Sequence, residues 1–180
     1  MEPTAEENLE TAIFAGGCFW CMEPVFDRMD GVISVTPGYT GGTVRDPSYQ
    51  EVSSGETGHV EAVRIVFDPS RVSYGELLQV FWHNIDPTTR NRQFCDFGSQ
   101  YRSAVFYIGA EQKVIADESR RALEESRPFD RPIVTEIVAA GEFYPAEEYH
   151  RQYYKKNPQS YRQYHEGCGR TNRLKELWKK

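Results

Sequence analysis

The segment 59–67 constrains the fold more than any other part of the chain, because its side chains alternate in the pattern of a β-strand. Asp68 and Pro69 end that strand. One of its faces is apolar and carries Val63, Ile65 and Phe67. Glu61 has the same parity as these three residues. The pattern therefore predicts a sheet with a covered face and a carboxyl group on that face.

Strands and helices alternate along the rest of the chain. The patterns predict strands at 9–15, 31–39, 101–108 and 134–139, and helices at 19–29, 73–84, 111–127 and 146–157. Segments 41–58 and 86–99 are predicted to be irregular, and the residues after 157 to be coil with a short helix at 174–178. This order predicts an α/β (α+β) fold: a two-layer sandwich with a central mixed β-sheet, a ferredoxin-like core and a long C-terminal coil.

Length and charge limit the classes of protein. A chain of 180 residues with 39% hydrophobic and 27% charged residues is typical of one globular domain, so we expect residues 1–180 to form a single catalytic domain. The net charge of -6 argues against nucleic-acid binding. Residues 151–180 hold nine of the 21 Lys and Arg and two of the 27 Asp and Glu. We expect this basic, aromatic tail to pack on the acidic body.

The cellular location is predicted from what the sequence lacks. No run approaches the roughly 20 apolar residues that a membrane span needs. The first seven residues, Met-Glu-Pro-Thr-Ala-Glu-Glu, have neither the basic nor the apolar region of a secretory signal. We therefore expect a cytoplasmic protein that does not bind membranes.

Cys18 follows Gly16 and Gly17 at the point where the first strand ends and the first helix begins. A thiol at this position faces unpaired backbone N–H groups and the positive end of the helix dipole, which both favour the thiolate. Cys18 is therefore predicted to be a nucleophile near neutral pH. Phe19 and Trp20 come next, and they are compatible either with the core or with the wall of a small apolar pocket.

The other three cysteines leave several kinds of chemistry open. Cys18 and Cys21 have the spacing of a dithiol redox motif. The same pair, taken with His165 and Cys168, is also compatible with a zinc site. A structural disulfide is not expected in a cytosolic chain of this size, and Cys95 is compatible with a bystander or a participant.

Glu61 and three further polar residues are candidates for a site. Burial penalises the ionised form of a carboxyl group, so the pKa of Glu61 is predicted to be raised and its proton available for donation. The alternative is a carboxylate that reaches solvent at the end of the strand. Asp96 and Tyr101 form a predicted polar cluster, and Tyr39 lies beside glycines; phenol hydroxyls at such places can bind a ligand oxygen, although each residue alone fits a structural role.

Four motifs together resemble one enzyme family. They are Gly17-Cys18-Phe19-Trp20 followed by Glu23, Gly38-Tyr39-Thr40-Gly41-Gly42, Gly58-His59-Val60-Glu61-Ala62-Val63, and Gly98-Ser99-Gln100-Tyr101-Arg102-Ser103. In this order they resemble the peptide methionine sulfoxide reductases of the A type. The resemblance implies reduction of methionine S-sulfoxide, free or in proteins, with thioredoxin as the reductant. We expect a monomer that uses no cofactor and no metal.

The resemblance also implies roles for individual residues. Cys18 would attack the sulfoxide sulfur as a thiolate and become a sulfenic acid, while protonated Glu61 gives a proton to the sulfoxide oxygen. Tyr39 and Tyr101 would bind that oxygen, and Asp96 would order the polar cluster. Phe19 and Trp20 would hold the S-methyl group of the substrate.

The thiol that resolves the sulfenic acid is where this chain departs from the pattern that it resembles. Many relatives have glycine at the position of Cys21 and use cysteines in a glycine-rich C-terminal tail. Cys168 lies between Gly167 and Gly169, which would let a tail swing toward Cys18, so we predict Cys168 as the resolving residue and Cys21 as its competitor. A thioredoxin-like thiol–disulfide oxidoreductase that uses Cys18 and Cys21 is the alternative function, and a zinc-binding module is a third hypothesis.

Overall fold

The computed structural model describes residues 8–126 and 129–179. Six strands form the main sheet: β1 (Glu10–Ala15), β2 (Val32–Thr40), β3 (Val60–Phe67), β6 (Ala104–Tyr107), β7 (Glu136–Ala139) and β8 (Phe143–Pro145). Strands β4 (Arg92–Gln93) and β5 (Asp96–Phe97) form a separate pair. The helices are α1 (Phe19–Asp27), α2 (Tyr49–Ser53), α3 (Tyr74–Trp82), α4 (Gly109–Ser126), α5 (Tyr153–Lys156), α6 (Pro158–Cys168) and α7 (Arg170–Leu177).

The sheet has the order β7-β6-β1-β3-β2-β8. Strand β3 lies between β1 and β2 and is antiparallel to both, and β6 pairs with the other edge of β1, also antiparallel. With α1 and α3 as connections, these four strands form a ferredoxin-like core. Strand β7 adds in parallel to β6, and β8 adds antiparallel to β2. The predicted two-layer sandwich with a mixed sheet is therefore confirmed.

The main core lies between one face of the sheet and helices α1, α3 and α4. Phe14 of β1 is fully buried there and stacks on Phe81 of α3, with ring centroids 5.0 Å apart. Burial of one such side chain contributes roughly 2 kcal/mol. The opposite face of the sheet carries a smaller cluster that consists of Ile13, Ala15, Val60, Ala62, Ala104 and Phe106. No helix in the described part of the chain has both the length and the apolar character of a membrane span.

The predicted C-terminal coil is wrong. Residues 158–177 form two helices, α6 and α7, which are separated only by Gly169. Gly169 has a φ of +76°, in the left-handed region that glycine adopts readily, so it ends α6 without the chain becoming irregular. Much of the basic tail is therefore helical. Two of its side chains form ion pairs with acidic groups of the body: Lys155 pairs with Asp27 and Arg173 with Asp86.

The structure differs from the predicted elements in several smaller ways, and two of these differences have local causes. The predicted helix at 146–157 is broken into a 3-10 turn at Glu148–His150 and α5, because Gln152 adopts a φ of +51° and donates its N–H to Glu23 Oε2 at 3.1 Å. The segment 41–58 contains α2, which begins with a capping box between Ser48 and Glu51. Strand β8 was not predicted, and Arg127, the predicted end of α4, lies outside the described residues.

Glu23 predicts how stability depends on pH. Its side chain is buried, and desolvation raises its pKa from 4.5 to about 7. The folded state therefore keeps a proton that the unfolded chain loses, so this group lowers the free energy of unfolding as pH rises from about 4.5 to 7. We expect the stability of Glu23→Gln relative to wild type to increase by about 2 kcal/mol between pH 5 and 8 in urea denaturation.

The matched control for this experiment is Glu125→Gln, which changes an exposed carboxylate of α4. Its pH dependence is expected to follow that of the wild type. Identical pH dependence in wild type and Glu23→Gln would show that Glu23 is not the group responsible.

Candidate active site

The turn between β1 and α1 presents Cys18 at the start of the helix. Gly17 has a φ of +86°, and a Cβ atom there would lie 2.5 Å from Gln93 Cβ, so only glycine fits. Cys18 is the N-cap residue of α1, and its carbonyl oxygen accepts the N–H groups of Cys21 and Met22 at 3.1 and 3.3 Å. Its side chain makes no capping hydrogen bond, so the sulfur is not engaged by the helix backbone.

Glu61 lies on the covered face of the sheet. It is 3% exposed, shares that face with fully buried Val63, and is the cross-strand neighbour of Tyr39 on β2. Its Oε2 atom is buried and has no hydrogen-bond partner among the described residues. The expectation that this carboxyl group is buried is therefore confirmed, and the alternative, in which it reaches solvent, is wrong.

Burial controls the ionisation of Glu61. Desolvation raises its pKa well above the ordinary value, and the charge of Asp96 raises it further, while a hydrogen bond from the Phe19 backbone opposes the rise. Burial therefore favours the neutral form of this carboxyl group, which is the form that can donate a proton.

The two thiols near the start of α1 affect each other's pKa. Burial raises the pKa of Cys18 well above its ordinary value, and Cys21, Glu61 and Asp96 add to the rise. The hydrogen bond from Cys18 lowers the pKa of Cys21, and the positive charge of Arg170 lowers it further. Of the two thiols, Cys21 therefore loses its proton more readily than Cys18.

The prediction of a low-pKa thiol at Cys18 is wrong for the substrate-free protein. The end of a helix dipole contributes at most about 2 kcal/mol, whereas complete burial of an ionisable group shifts its pKa by several units. Cys18 is 6% exposed and lies among groups that are acidic themselves. Desolvation therefore outweighs the dipole at this position.

The predicted polar residues gather around Glu61. Asp96 lies in β5, accepts a hydrogen bond from Tyr164, and has a pKa that burial raises. Tyr101 ends a 3-10 turn, and burial followed by the charge of Glu61 raises its pKa. Tyr39 is fully buried, and its hydroxyl donates to Glu147 Oε1 at 3.0 Å.

Several residues of this site escaped sequence reasoning. Glu147 accepts hydrogen bonds from Tyr39, from the Tyr149 hydroxyl at 3.1 Å and from the Tyr49 N–H at 3.3 Å. His150 is 1% exposed, and its Nδ1 accepts the Trp20 indole N–H at 3.0 Å. The polar residues at 147–150 could have indicated that this segment contributes to the site. The helix predicted at 146–157 instead gave them a structural explanation.

Aromatic rings cover the first turn of α1. Phe19 is buried, with its ring centroid 5.1 Å from that of His150. Trp20 is partly buried and stacks on Tyr153 at 3.9 Å, while Tyr164 meets it edge-on at 5.9 Å. The C-terminal segment thus supplies much of the apolar wall beside Cys18.

Cys95 and Cys168 form a disulfide, with Cα atoms 4.9 Å apart, whereas Cys18 and Cys21 are free thiols. This disulfide was not expected, because the sequence argued against structural disulfides, and the flexible tail on which the choice of Cys168 rested is wrong, because Cys168 ends α6. The considered zinc site is not assembled either, since Cys168 is bonded to Cys95. A carboxylate oxygen of Asp96 lies within 4.8 Å of both bonded sulfurs, so the second cysteine pair borders the polar cluster.

Fold and site together define a class of protein. The site combines a buried thiol, a buried carboxyl group with a raised pKa and tyrosines on a ferredoxin-like sheet, together with a second thiol and a disulfide. Such groups are typical of a thiol-dependent reductase. In such an enzyme one thiol attacks a substrate atom, an acid protonates the leaving oxygen, and a further thiol regenerates the attacking thiol.

Comparisons with known proteins identify the family. The family described as "Peptide methionine sulfoxide reductase" matches residues 10–180. A relative from Bacillus licheniformis, "Peptide methionine sulfoxide reductase MsrA", is 51% identical over 172 residues, which are 96% of this chain and 95% of that protein. The chain belongs to the peptide methionine sulfoxide reductase family and reduces methionine sulfoxide to methionine.

Solved structures agree with this assignment. Methionine sulfoxide reductase A of Corynebacterium diphtheriae is 36% identical, with a TM-score of 0.75 over 84% of this chain and 76% of that one. Mxr1 of Saccharomyces cerevisiae in its reduced form is 30% identical, with a TM-score of 0.80 over 85% of this chain and 88% of that one. The thioredoxin-like alternative is not favoured.

The cysteine pairing predicts the result of a peptide map. When the protein is denatured and alkylated without reductant, we expect label on Cys18 and Cys21 and a cross-linked peptide that contains Cys95 and Cys168. Mass spectrometry reads both outcomes. In Cys95→Ser, Cys168 is expected to become a third labelled thiol. A cross-link between Cys168 and Cys18 in the untreated protein would contradict this pairing.

Proposed function

We propose that Cys18 is the nucleophile of the reductase and Glu61 its general acid. The observation that carries this assignment is the buried, unpartnered Oε2 of Glu61, in a carboxyl group whose pKa burial raises. A protonated carboxyl group with a free oxygen is suited to donate to an oxygen that gains negative charge. The substrate is the S epimer of methionine sulfoxide, free or within proteins.

In the first step, Cys18 releases its proton to water, and its thiolate attacks the sulfoxide sulfur and forms a sulfur–sulfur bond while Glu61 protonates the sulfoxide oxygen. The protonated oxygen is then transferred to the Cys18 sulfur: a new sulfur–oxygen bond forms there as the sulfoxide sulfur–oxygen bond and the sulfur–sulfur bond break, methionine leaves, and Cys18 becomes a sulfenic acid. Tyr39 and Tyr101 bind the oxygen, and Asp96 orders the polar cluster. Phe19 and Trp20 hold the S-methyl group in the apolar part of the site.

In the second step, Cys21 attacks the sulfur of the sulfenic acid, a disulfide with Cys18 forms, and the oxygen leaves as water. Two observations support Cys21 over Cys168. Cys21 lies in the first turn after Cys18, where its N–H donates to the Cys18 carbonyl oxygen at 3.1 Å, and the pKa of its thiol is lowered. Cys168 is bonded to Cys95 at the end of α6. We therefore replace the expected role of Cys168 in this step with one for Cys21.

Thioredoxin is the proposed reductant of the resulting disulfide. Cys21 lines a cavity of about 1010 Å³ between α1, the residues that follow α3 and the C-terminal helices, and this is the side from which we propose that another thiol approaches. We further propose that the protein acts in the cytoplasm, where thioredoxin keeps thiols reduced, and that it works as a monomer with one catalytic domain.

Two cysteine variants test the assignment of the thiols. Cys18→Ser is expected to abolish methionine formation in a single turnover with dithiothreitol present. Cys21→Ser is expected to release one equivalent of methionine per chain and then stop when no reductant is added, with the sulfenic acid at Cys18 trapped by dimedone. Activity in Cys18→Ser at the wild-type level would overturn the proposal.

A third variant tests the general acid. Glu61→Gln removes the transferable proton from a buried site and is expected to slow methionine release in a single turnover by roughly 10² or more. Glu56→Gln, which changes an exposed loop residue, is the control and is expected to retain the wild-type rate. An unchanged rate in Glu61→Gln would remove Glu61 from the mechanism.

A further inference from the structure

Arg170 is a buried cation beneath the turn that carries Cys18. It begins α7 and is 4% exposed. Its Nη2 atom donates to the Gly16 carbonyl oxygen at 3.0 Å, and its Nη1 atom donates to the Asn84 carbonyl oxygen at 2.8 Å. The ring centroid of Phe94 lies 4.3 Å from its Cζ atom. The guanidinium is therefore held in one place by neutral groups on three sides.

These partners leave the charge of Arg170 incompletely balanced. Its Nε atom is buried and has no hydrogen-bond partner among the described residues. The ion pairs that α7 makes with Asp86 and Glu176 belong to Arg173, not to Arg170. A buried charge is costly unless an anion or further hydrogen bonds compensate it. The surroundings of Arg170 therefore favour a negative charge on a neighbouring group.

Cys21 is the thiol beside Arg170. Both residues line one cavity, and Arg170 Nη1 donates at 3.6 Å to the sulfur of Met22, which follows Cys21 in α1. The positive charge of Arg170 lowers the pKa of Cys21. The titratable groups that interact with Cys21 come from four elements besides α1. They are Cys18 at the N-cap, Glu61 of β3, Asp96 of β5, Tyr161 and Tyr164 of α6, and Arg170 of α7. Of these described groups, Arg170 alone is a cation.

We infer that Arg170 is a positioning residue for the second step, and that its guanidinium holds Cys21 as the thiolate that attacks the Cys18 sulfenic acid. This inference rests on the proposed function. The thiolate sulfur of Cys21 forms the new bond to the Cys18 sulfur, the sulfur–oxygen bond of the sulfenic acid breaks, and the oxygen takes up a proton and leaves as water. No external oxidant or reductant is consumed in this step.

The test compares the two thiols at several pH values. In the reduced wild-type protein, peptide-resolved alkylation is expected to give a lower pH midpoint for Cys21 than for Cys18. In Arg170→Gln the Cys21 midpoint is expected to rise by about one pH unit or more, and in Arg170→Lys, which keeps the charge, to stay near wild type. Arg173→Gln on the same helix is the matched control and is expected to leave both midpoints unchanged.

A single turnover without reductant separates this inference from the proposed function. In Arg170→Gln one equivalent of methionine is expected to be released at nearly the wild-type rate, whereas the Cys18–Cys21 disulfide forms about tenfold more slowly and dimedone traps more sulfenic acid. Loss of methionine release in a folded variant would place Arg170 in the first step instead and overturn the inference.

Two further results would also overturn it. One is a Cys21 midpoint and a rate of disulfide formation that are the same in Arg170→Gln and wild type. The other result is measured on the wild-type protein, so it applies even if Arg170→Gln does not fold. It is a pH midpoint of alkylation for Cys21 that is equal to or above that of Cys18.

Discussion

The proposed chemistry of this protein depends on the exclusion of water from one carboxyl group. Glu61 lies on the covered face of β3, and removal of its hydration makes the neutral form the stable one. The same burial acts on Cys18 and raises the pKa of its thiol. In the proposed mechanism, such a dry site would store the proton needed by the leaving oxygen and keep the nucleophile protonated until the substrate binds.

The fold explains how these groups meet. Strand β3 lies between β1 and β2, so a residue near its start is close to the turn that follows β1 and to the end of β2. The first turn brings Cys18, and the end of β2 brings Tyr39 as the cross-strand neighbour of Glu61. The C-terminal helices then close the site from outside and contribute Tyr164 and Arg170. The ferredoxin-like core supplies rigidity, and the C-terminal segment supplies the electrostatic adjustment.

Local patterns predicted the parts of the fold that local physics determines. Alternation in 59–67 identified β3 and the face of Glu61, and the glycines before Cys18 identified the turn. Nonlocal contacts determined what was missed. The Cys95–Cys168 bond joins residues 73 positions apart, and the helices at 158–177 are amphipathic segments rich in polar residues that pack on the body. The pKa of Cys18 was misjudged for the same reason, because the depth of burial follows from packing and not from the local sequence.

The central claim is that the carboxyl group of Glu61 is neutral in the resting protein. Isotope-edited infrared spectroscopy of the reduced, substrate-free protein tests it directly, with Glu61→Gln used to assign the band. The account predicts a protonated-carboxyl C=O band at pH 7 that is missing in the variant and that disappears only at a pH well above the ordinary range for glutamate. A carboxylate signal from Glu61 at pH 7, with no such band, would contradict it.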